Sequence, residues 1–224
     1  MKIKKLLFYL LATLLGGCIP VMSLHPLYTD KDLIFEEKLL GTWVDDSNDT
    51  TWEFQLVANE PDNASEFKHP DKPEKAYKLI FSNNDGKTKG LFFTHLVKLE
   101  NKFFMDVFPS QLPYMPRDPN EGWIYNMYFL VPVHTFIKID SIEPQLKMRF
   151  TDDDEMEKLL KEDPNAVKYE LVNDRLILTA STKELQAFVL KYADDSRVFT
   201  DEIVLNRKKT QDPNDPNNTD PNEG

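Results

Sequence analysis

The chain is poor in cysteine, glycine and positive charge, and it lacks a hydrophobic run long enough to span a membrane. Its single cysteine, Cys18, leaves no second thiol for an internal disulfide, so the fold must be stabilised by burial alone. Only 7 of the 224 residues are glycine, and none belongs to a glycine-rich phosphate loop. Basic residues number 27 against 38 acidic ones, for a net charge of −11. Such a surface repels phosphate backbones, which argues against nucleic-acid binding.

Patterns that indicate an enzyme or a metal site are also missing from the sequence. No serine or threonine lies in a nucleophile-elbow motif. The histidines are His25, His69, His95 and His134, and no two have the i, i+2 or i+4 spacing of a local metal motif. The acidic run 152–154 is typical of a helix start. The sequence therefore predicts a non-catalytic protein without a metal or cofactor.

The first 18 residues have the pattern of an export signal. Three lysines among the first five residues precede an apolar stretch of about ten residues, whereas a membrane-spanning helix needs about 20. The run Leu15-Gly16-Gly17-Cys18 then supplies small residues and a cysteine at the cleavage site. This segment resembles a bacterial lipoprotein signal. The alternatives are a cleaved secretory signal without lipid and an uncleaved anchor.

The lipoprotein resemblance implies that residues 1–17 are removed and that Cys18 becomes the first residue, carrying palmitate-type acyl chains that hold the protein on a membrane. Residues 18–36 would then form a lipid-anchored tether and entry arm. Ile19 follows the cysteine, where aspartate usually means retention in the inner membrane. We therefore expect a location in the bacterial cell envelope, on the outer membrane.

We expect residues 37–209 to form one β-barrel domain and residues 210–224, which have no large apolar residue, to be a disordered acidic tail. Alternating apolar residues predict short antiparallel strands, and Asn173-Asp174 predicts a hairpin turn. Helices are predicted at Asp152–Glu162 and Ser181–Ala193. This order favours a mainly β fold, either a barrel of about eight strands or a sandwich, with two helices and disordered N- and C-terminal segments.

Two short motifs at the ends of the domain resemble those of lipocalin-like (calycin) β-barrels. Gly41 and Trp43 open the first strand as Gly-x-Trp, and Arg207 ends a final strand that follows a helix. The resemblance implies that Arg207 packs over Trp43 and closes one end of the barrel. The alternative is that Trp43 is an ordinary core residue of another antiparallel fold. The chain from Leu24 to Arg207 also looks like a group of uncharacterised bacterial lipoproteins without a known activity.

A lipocalin-like barrel of this size has room for one small ligand. We expect the apolar residues Leu91, Phe93 and Val97 and the run Tyr125–Phe136, bent at Pro132, to line a cup for a small hydrophobic or amphipathic molecule. The candidate contacts are His95, His134, Phe93 and Tyr128. The simpler interpretation is that both histidines are core residues with backbone or water partners. In the alternative function the barrel is filled, and loops such as Pro109–Gly122 contact an envelope protein partner.

Overall fold

Short strands dominate the computed structural model, which describes residues 20–47, 49–57, 70, 72–83, 88–110, 130–200 and 202–208. The strands are β1 (Met22–Ser23), β2 (Leu33–Ile34), β3 (Gly41–Val44), β4 (Thr50–Leu56), β5 (Ala76–Asn83), β6 (Thr88–Leu99), β7 (Lys102–Pro109), β8 (Thr135–Ser141), β9 (Gln145–Phe150), β10 (Tyr169–Val172), β11 (Arg175–Leu178) and β12 (Glu202–Arg207). The α-helices are α1 (Asp153–Glu162) and α2 (Thr182–Lys191). Two 3-10 turns lie at Glu37–Leu39 and Pro73–Lys75.

Eight of these strands close into an antiparallel barrel. Its order is β3-β4-β5-β6-β7-β8-β9-β12, and β12 returns to β3 with Arg207 opposite Trp43. Apart from the closing pair of β12 and β3, all neighbours are consecutive along the chain except β9 and β12. The barrel is therefore an up-and-down meander with one long insertion before its last strand. The prediction of a mainly β protein with an eight-stranded antiparallel barrel and two helices is confirmed.

The insertion between β9 and β12 forms an outer layer rather than more barrel wall. It holds α1, the hairpin β10–β11 and α2. The hairpin turns at Asn173-Asp174 as predicted, with φ values of 50° and 60°. However, β11 pairs with β1 to make a separate three-stranded sheet, so the expectation that all of 37–209 forms one barrel is wrong for this hairpin. The closed barrel offers no free edge, because β12 already pairs with both β9 and β3.

Residues 20–36 are the described part of the tether and entry arm predicted at 18–36, and they pair with both the outer layer and the barrel wall. Val21, Leu27 and Leu33 are buried, and β2 pairs with β6 alongside the end of β5. The backbone of β1 also forms a bridge with His134, just before β8. The other predicted segments, which are residues 1–17 with Cys18 and the acidic tail 210–224, lie outside the described residues.

The two predicted helices cover one side of the barrel wall. In α1, Asp152 accepts a hydrogen bond from the Glu155 N–H at 2.9 Å, which confirms the acidic run as a helix start. In α2, the Ser181 N–H and hydroxyl both donate to the Glu184 carboxylate, at 2.9 and 2.7 Å. The face of α2 that carries Leu185 is buried in a core shared with outward side chains of β6, β7 and β8. None of the described helices is long and apolar enough to cross a bilayer.

Candidate functional site

Large side chains fill the described part of the barrel interior. Trp43, Trp52, Phe54 and Tyr77 project inward from β3, β4 and β5, and they share a core with inward residues of the opposite wall. The Trp52 ring lies 5.7 Å from that of Phe150, measured between centroids. Phe150 ends β9, which is three strands away from β4 around the barrel. The Trp52 indole therefore reaches across the barrel and occupies its interior.

The residues of β6 that were predicted to line the cup point away from the barrel interior. On β6, Leu96 belongs to the interior core, whereas Val97 belongs to the core of the outer layer. Because side chains alternate along a strand, Phe93 and His95 also point outward, and the His95 ring lies 4.5 Å from that of Tyr28. The outer layer covers this part of the wall, so both faces of β6 are apolar. Alternation alone could not show which face was the inner one.

A cavity of about 280 Å³ opens at the end of the barrel where β6 and β8 end and β7 begins. Its apolar lining is Ile34, Leu96, Phe103, Ile139 and Ile142, and its polar lining is Glu36, Lys38, Asp140, Ser141 and Glu143. At the rim, the Lys38 ammonium lies 3.1 Å from the Glu143 carboxylate. A hydrogen bond to Glu143 and its negative charge raise the pKa of Lys38. The cavity thus combines an apolar base with a charged rim.

The same end of the barrel carries the Gly-x-Trp and arginine residues. The Arg207 guanidinium carbon lies 4.2 Å from the Trp43 ring centroid, so the predicted contact is present. Arg207 also donates to the backbone oxygens of Leu40 and Lys38. Gly41 has φ +105°, and a Cβ there would lie 3.0 Å from the Arg207 Nη1. These residues hold the 3-10 turn that places Lys38 at the cavity rim.

A buried carboxylate that the sequence did not reveal as important explains the position of His134. Asp106 on β7 is 1% exposed, and its Oδ1 lies 2.7 Å from the His134 Nδ1. Its Oδ2 accepts a hydrogen bond from the Leu27 N–H at 2.8 Å. His134 therefore lies outside the barrel, in a polar junction that joins β7, the start of β8 and the N-terminal arm. The only sequence signal was a lone acid within the apolar run Phe103–Phe108.

The remaining predicted residues divide into two groups. Cys18, Tyr128 and most of the Pro109–Gly122 loop lie outside the described residues. The carboxylates of residues 152–154 do come together, with ligand oxygens within 4.8 Å of one another. Burial raises the pKa of Asp153, and the Arg175 guanidinium lies 3.9 Å from it. Because Asp152 caps α1, the helix start accounts for this cluster without a bound cation.

No family model, no curated protein and no solved structure matches this chain. None of these comparisons supports the expected resemblance to calycin barrels, which depends on the barrel topology and on Gly41, Trp43 and Arg207. A shared architecture does not assign an activity, so the function must be argued from the cavity and surfaces of this molecule.

Proposed function

We propose that this protein is a non-catalytic, lipid-anchored protein of the bacterial cell envelope that binds a small hydrophobic or amphipathic molecule at the Arg207 end of its barrel. The observation that supports this function is the cavity of about 280 Å³ with an apolar base and a charged rim. Lipidated Cys18 would attach the protein to the outer membrane, and several acyl chains would make that attachment firm.

The cavity volume limits the size of the ligand. At about 30 Å³ for each water-sized group, the space holds a ligand of about nine non-hydrogen atoms. This is slightly smaller than the usual pocket range of about 300–1,000 Å³ for drug-sized molecules. A short alkyl or small aromatic group would contact Leu96, Phe103 and Ile139, and a polar end would remain at the rim beside Lys38 and Glu143. A long acyl chain would not fit without movement of the interior side chains.

A chain-length series tests this proposal. Linear alcohols of four to twelve carbons would be titrated into the full chain, with binding measured by calorimetry and thermal shift. We expect affinity to rise with chain length and then stop rising once the cavity of about nine non-hydrogen atoms is full. Native mass spectrometry of the protein purified from its own host would identify a retained natural ligand.

A matched pair of variants locates the binding. Ile34 lies opposite Leu96 in the β2–β6 pair and lines the cavity, so Ile34→Trp should fill it and abolish alcohol binding. Ile203→Trp adds the same volume at an exposed position on β12, and it should leave binding unchanged. Equal effects of the two substitutions, or an affinity that rises steadily up to twelve carbons, would contradict the proposed site.

The filled interior favours a second candidate function, a non-catalytic interaction or structural protein of the envelope. The supporting observation is Trp52, which lies between Phe81 and Phe150 at ring distances of 5.2 and 5.7 Å. In this case Ile34→Trp would leave the protein's cellular role intact. Replacing the Pro109–Gly122 loop with a linker of equal length would abolish co-purification of a partner, whereas His95→Phe would not.

A further inference from the structure

The outer three-stranded sheet ends in an exposed edge strand, β10. Among the described strands, β10 pairs with β11 alone, because β11 lies between β10 and β1. Its residues Leu171 and Val172 are 52% and 48% exposed. An edge strand with exposed apolar side chains is a template for pairing with another extended chain.

The hydrogen-bond pattern shows which backbone groups this edge presents. The Lys168 oxygen accepts a bond from the Thr179 N–H at 3.0 Å, so Lys168 is bonded towards the β11 side. In an antiparallel pair, alternate residues are bonded to the neighbouring strand. Glu170 and Val172 therefore also bond towards β11, and the N–H and C=O groups of Tyr169 and Leu171 point to the free edge. The edge presents two donors and two acceptors in register for a short strand.

A groove of about 610 Å³ lies beside the first half of this strand and includes Tyr169 and Glu170 in its lining. Its floor contains the buried apolar side chains of Val167 and Phe188. One ion pair joins two lining residues, Lys168 and Glu184, at 2.8 Å. A second lining residue, Lys191, pairs with Asp163 just outside the groove at 3.5 Å. The volume lies within the range of pockets that bind organic groups. A side chain of a paired strand would have an apolar place to enter beside the edge.

We propose that the edge of β10 and the adjacent groove, together the β10 site, bind an extended segment of a partner protein by strand addition. The segment pairs with the backbone of Tyr169 and Leu171, inserts an apolar side chain into the groove, and places a basic residue opposite Glu170. The β10 site belongs to the outer layer and shares no lining residue with the cavity beside Arg207, so this proposal goes beyond the small-ligand function.

Charge decides between a partner segment and a second copy of this chain. If two β10 strands paired through both Tyr169 and Leu171, the two-fold axis would place Glu170 directly opposite its own copy. Like charges in directly opposite positions destabilise a strand pair. A basic residue in that position is favoured instead, and the net charge of −11 favours the approach of a basic segment.

The test uses a capped seven-residue peptide of alternating valine and threonine with a central lysine, and a twin with central glutamate. Each is titrated into the ¹⁵N-labelled full chain at low ionic strength. We expect slower amide exchange at Tyr169 and Leu171, and about two- to fivefold tighter binding of the lysine peptide than of its twin. Glu170→Lys should reverse this preference. The control Glu53→Lys makes the same change on β4, which is paired on both sides, and should leave the preference unchanged.

A second variant tests the backbone contact directly. Leu171→Pro removes an outward N–H that donates to no described residue, so the protein should keep its fold and lose peptide binding. The proposal is overturned if the peptides bind without protecting Tyr169 and Leu171, or if Leu171→Pro binds them normally. If these two amides become protected without peptide as the protein concentration rises, the edge of β10 pairs with a second copy. That result would also overturn the proposal.

Discussion

Replacing Asp106 with alanine should destabilise this protein far more than the loss of an ordinary surface acid. The substitution removes the partner of His134 at 2.7 Å and of the Leu27 N–H at 2.8 Å. An unsatisfied buried N–H costs about 1–3 kcal/mol, and removal of one member of a buried pair costs about 3–5 kcal/mol. Since both losses occur at one buried site, we expect the free energy of unfolding to fall by about 3–5 kcal/mol.

Two further substitutions separate the causes of this loss. Asp106→Asn keeps the side-chain shape and one acceptor oxygen, so its cost should be about 1–2 kcal/mol. Asp140→Ala is the matched control on the neighbouring strand β8. Asp140 lies near the surface, where its carboxylate pairs with Arg149 at 2.6 Å and Lys138 at 3.2 Å. Ion pairs of this kind contribute about 0–1 kcal/mol, so the control should change stability little.

Urea unfolding followed by tryptophan fluorescence measures these differences, and hydrogen exchange at the Leu27 amide reports on the N-terminal arm. The Leu27 amide should exchange faster in Asp106→Ala, because its acceptor is gone and the arm can open locally. The reasoning is refuted if Asp106→Ala lies within about 0.5 kcal/mol of wild type, the usual range of surface substitutions. It is also refuted if Leu27 remains equally protected.

Four further predictions concern other parts of the molecule. Leu185→Ala should lower the free energy of unfolding by about 2–4 kcal/mol, because Leu185 lies on the buried face of α2 and is fully buried. An unchanged free energy in urea unfolding would contradict this packing. A double-mutant cycle on Trp43 and Arg207 should give a non-zero coupling energy, and strict additivity would show that their stacking is not stabilising. Burial raises the pKa of Tyr77 to about 12, because the fold favours the protonated hydroxyl. The stability that this preference contributes is complete below pH 10 and is lost as the pH rises to 12. Tyr77→Phe should remove this part of the alkaline loss, and an unchanged pH profile would contradict it. Cys18→Ser should move the protein from the detergent phase to the aqueous phase on partitioning; equal partitioning of both forms would exclude lipidation.

Local patterns predicted most individual elements correctly. The final strand was expected to end at Arg207 and does so, and α2 begins directly after Ser181, where a helix was predicted to begin. These features depend on residues close together in the sequence, where strand alternation and helix capping act directly. The contact between Trp43 and Arg207 could be predicted from the resemblance to calycin barrels. Their motifs mark the first and last barrel strands, which must meet when a barrel closes.

The features that sequence reasoning missed depend on contacts between distant segments. The hairpin β10–β11 has the pattern of any half-buried strand pair, so nothing local showed that it would join β1 in a second sheet. His95 was predicted to line the cup because the face of β6 that carries it is apolar. That face is buried, but it is buried in the core of the outer layer and not in the barrel. Asp106 could not be identified because its partners, Leu27 and His134, lie 79 and 28 residues away along the chain.

The energetic cost of opening the barrel indicates where we expect the proposed ligand to bind. A binding site in the middle of the barrel would require Trp52 to leave its position between Phe81 and Phe150. Exposing the roughly 150–250 Å² that such an aromatic side chain buries costs about 4–6 kcal/mol, at about 25 cal/mol per Å². This cost would weaken the binding of such a ligand roughly a thousand- to twenty-thousandfold. The cavity beside Arg207 and the groove beside β10 are open without this cost, and for that reason they are the sites where binding is expected.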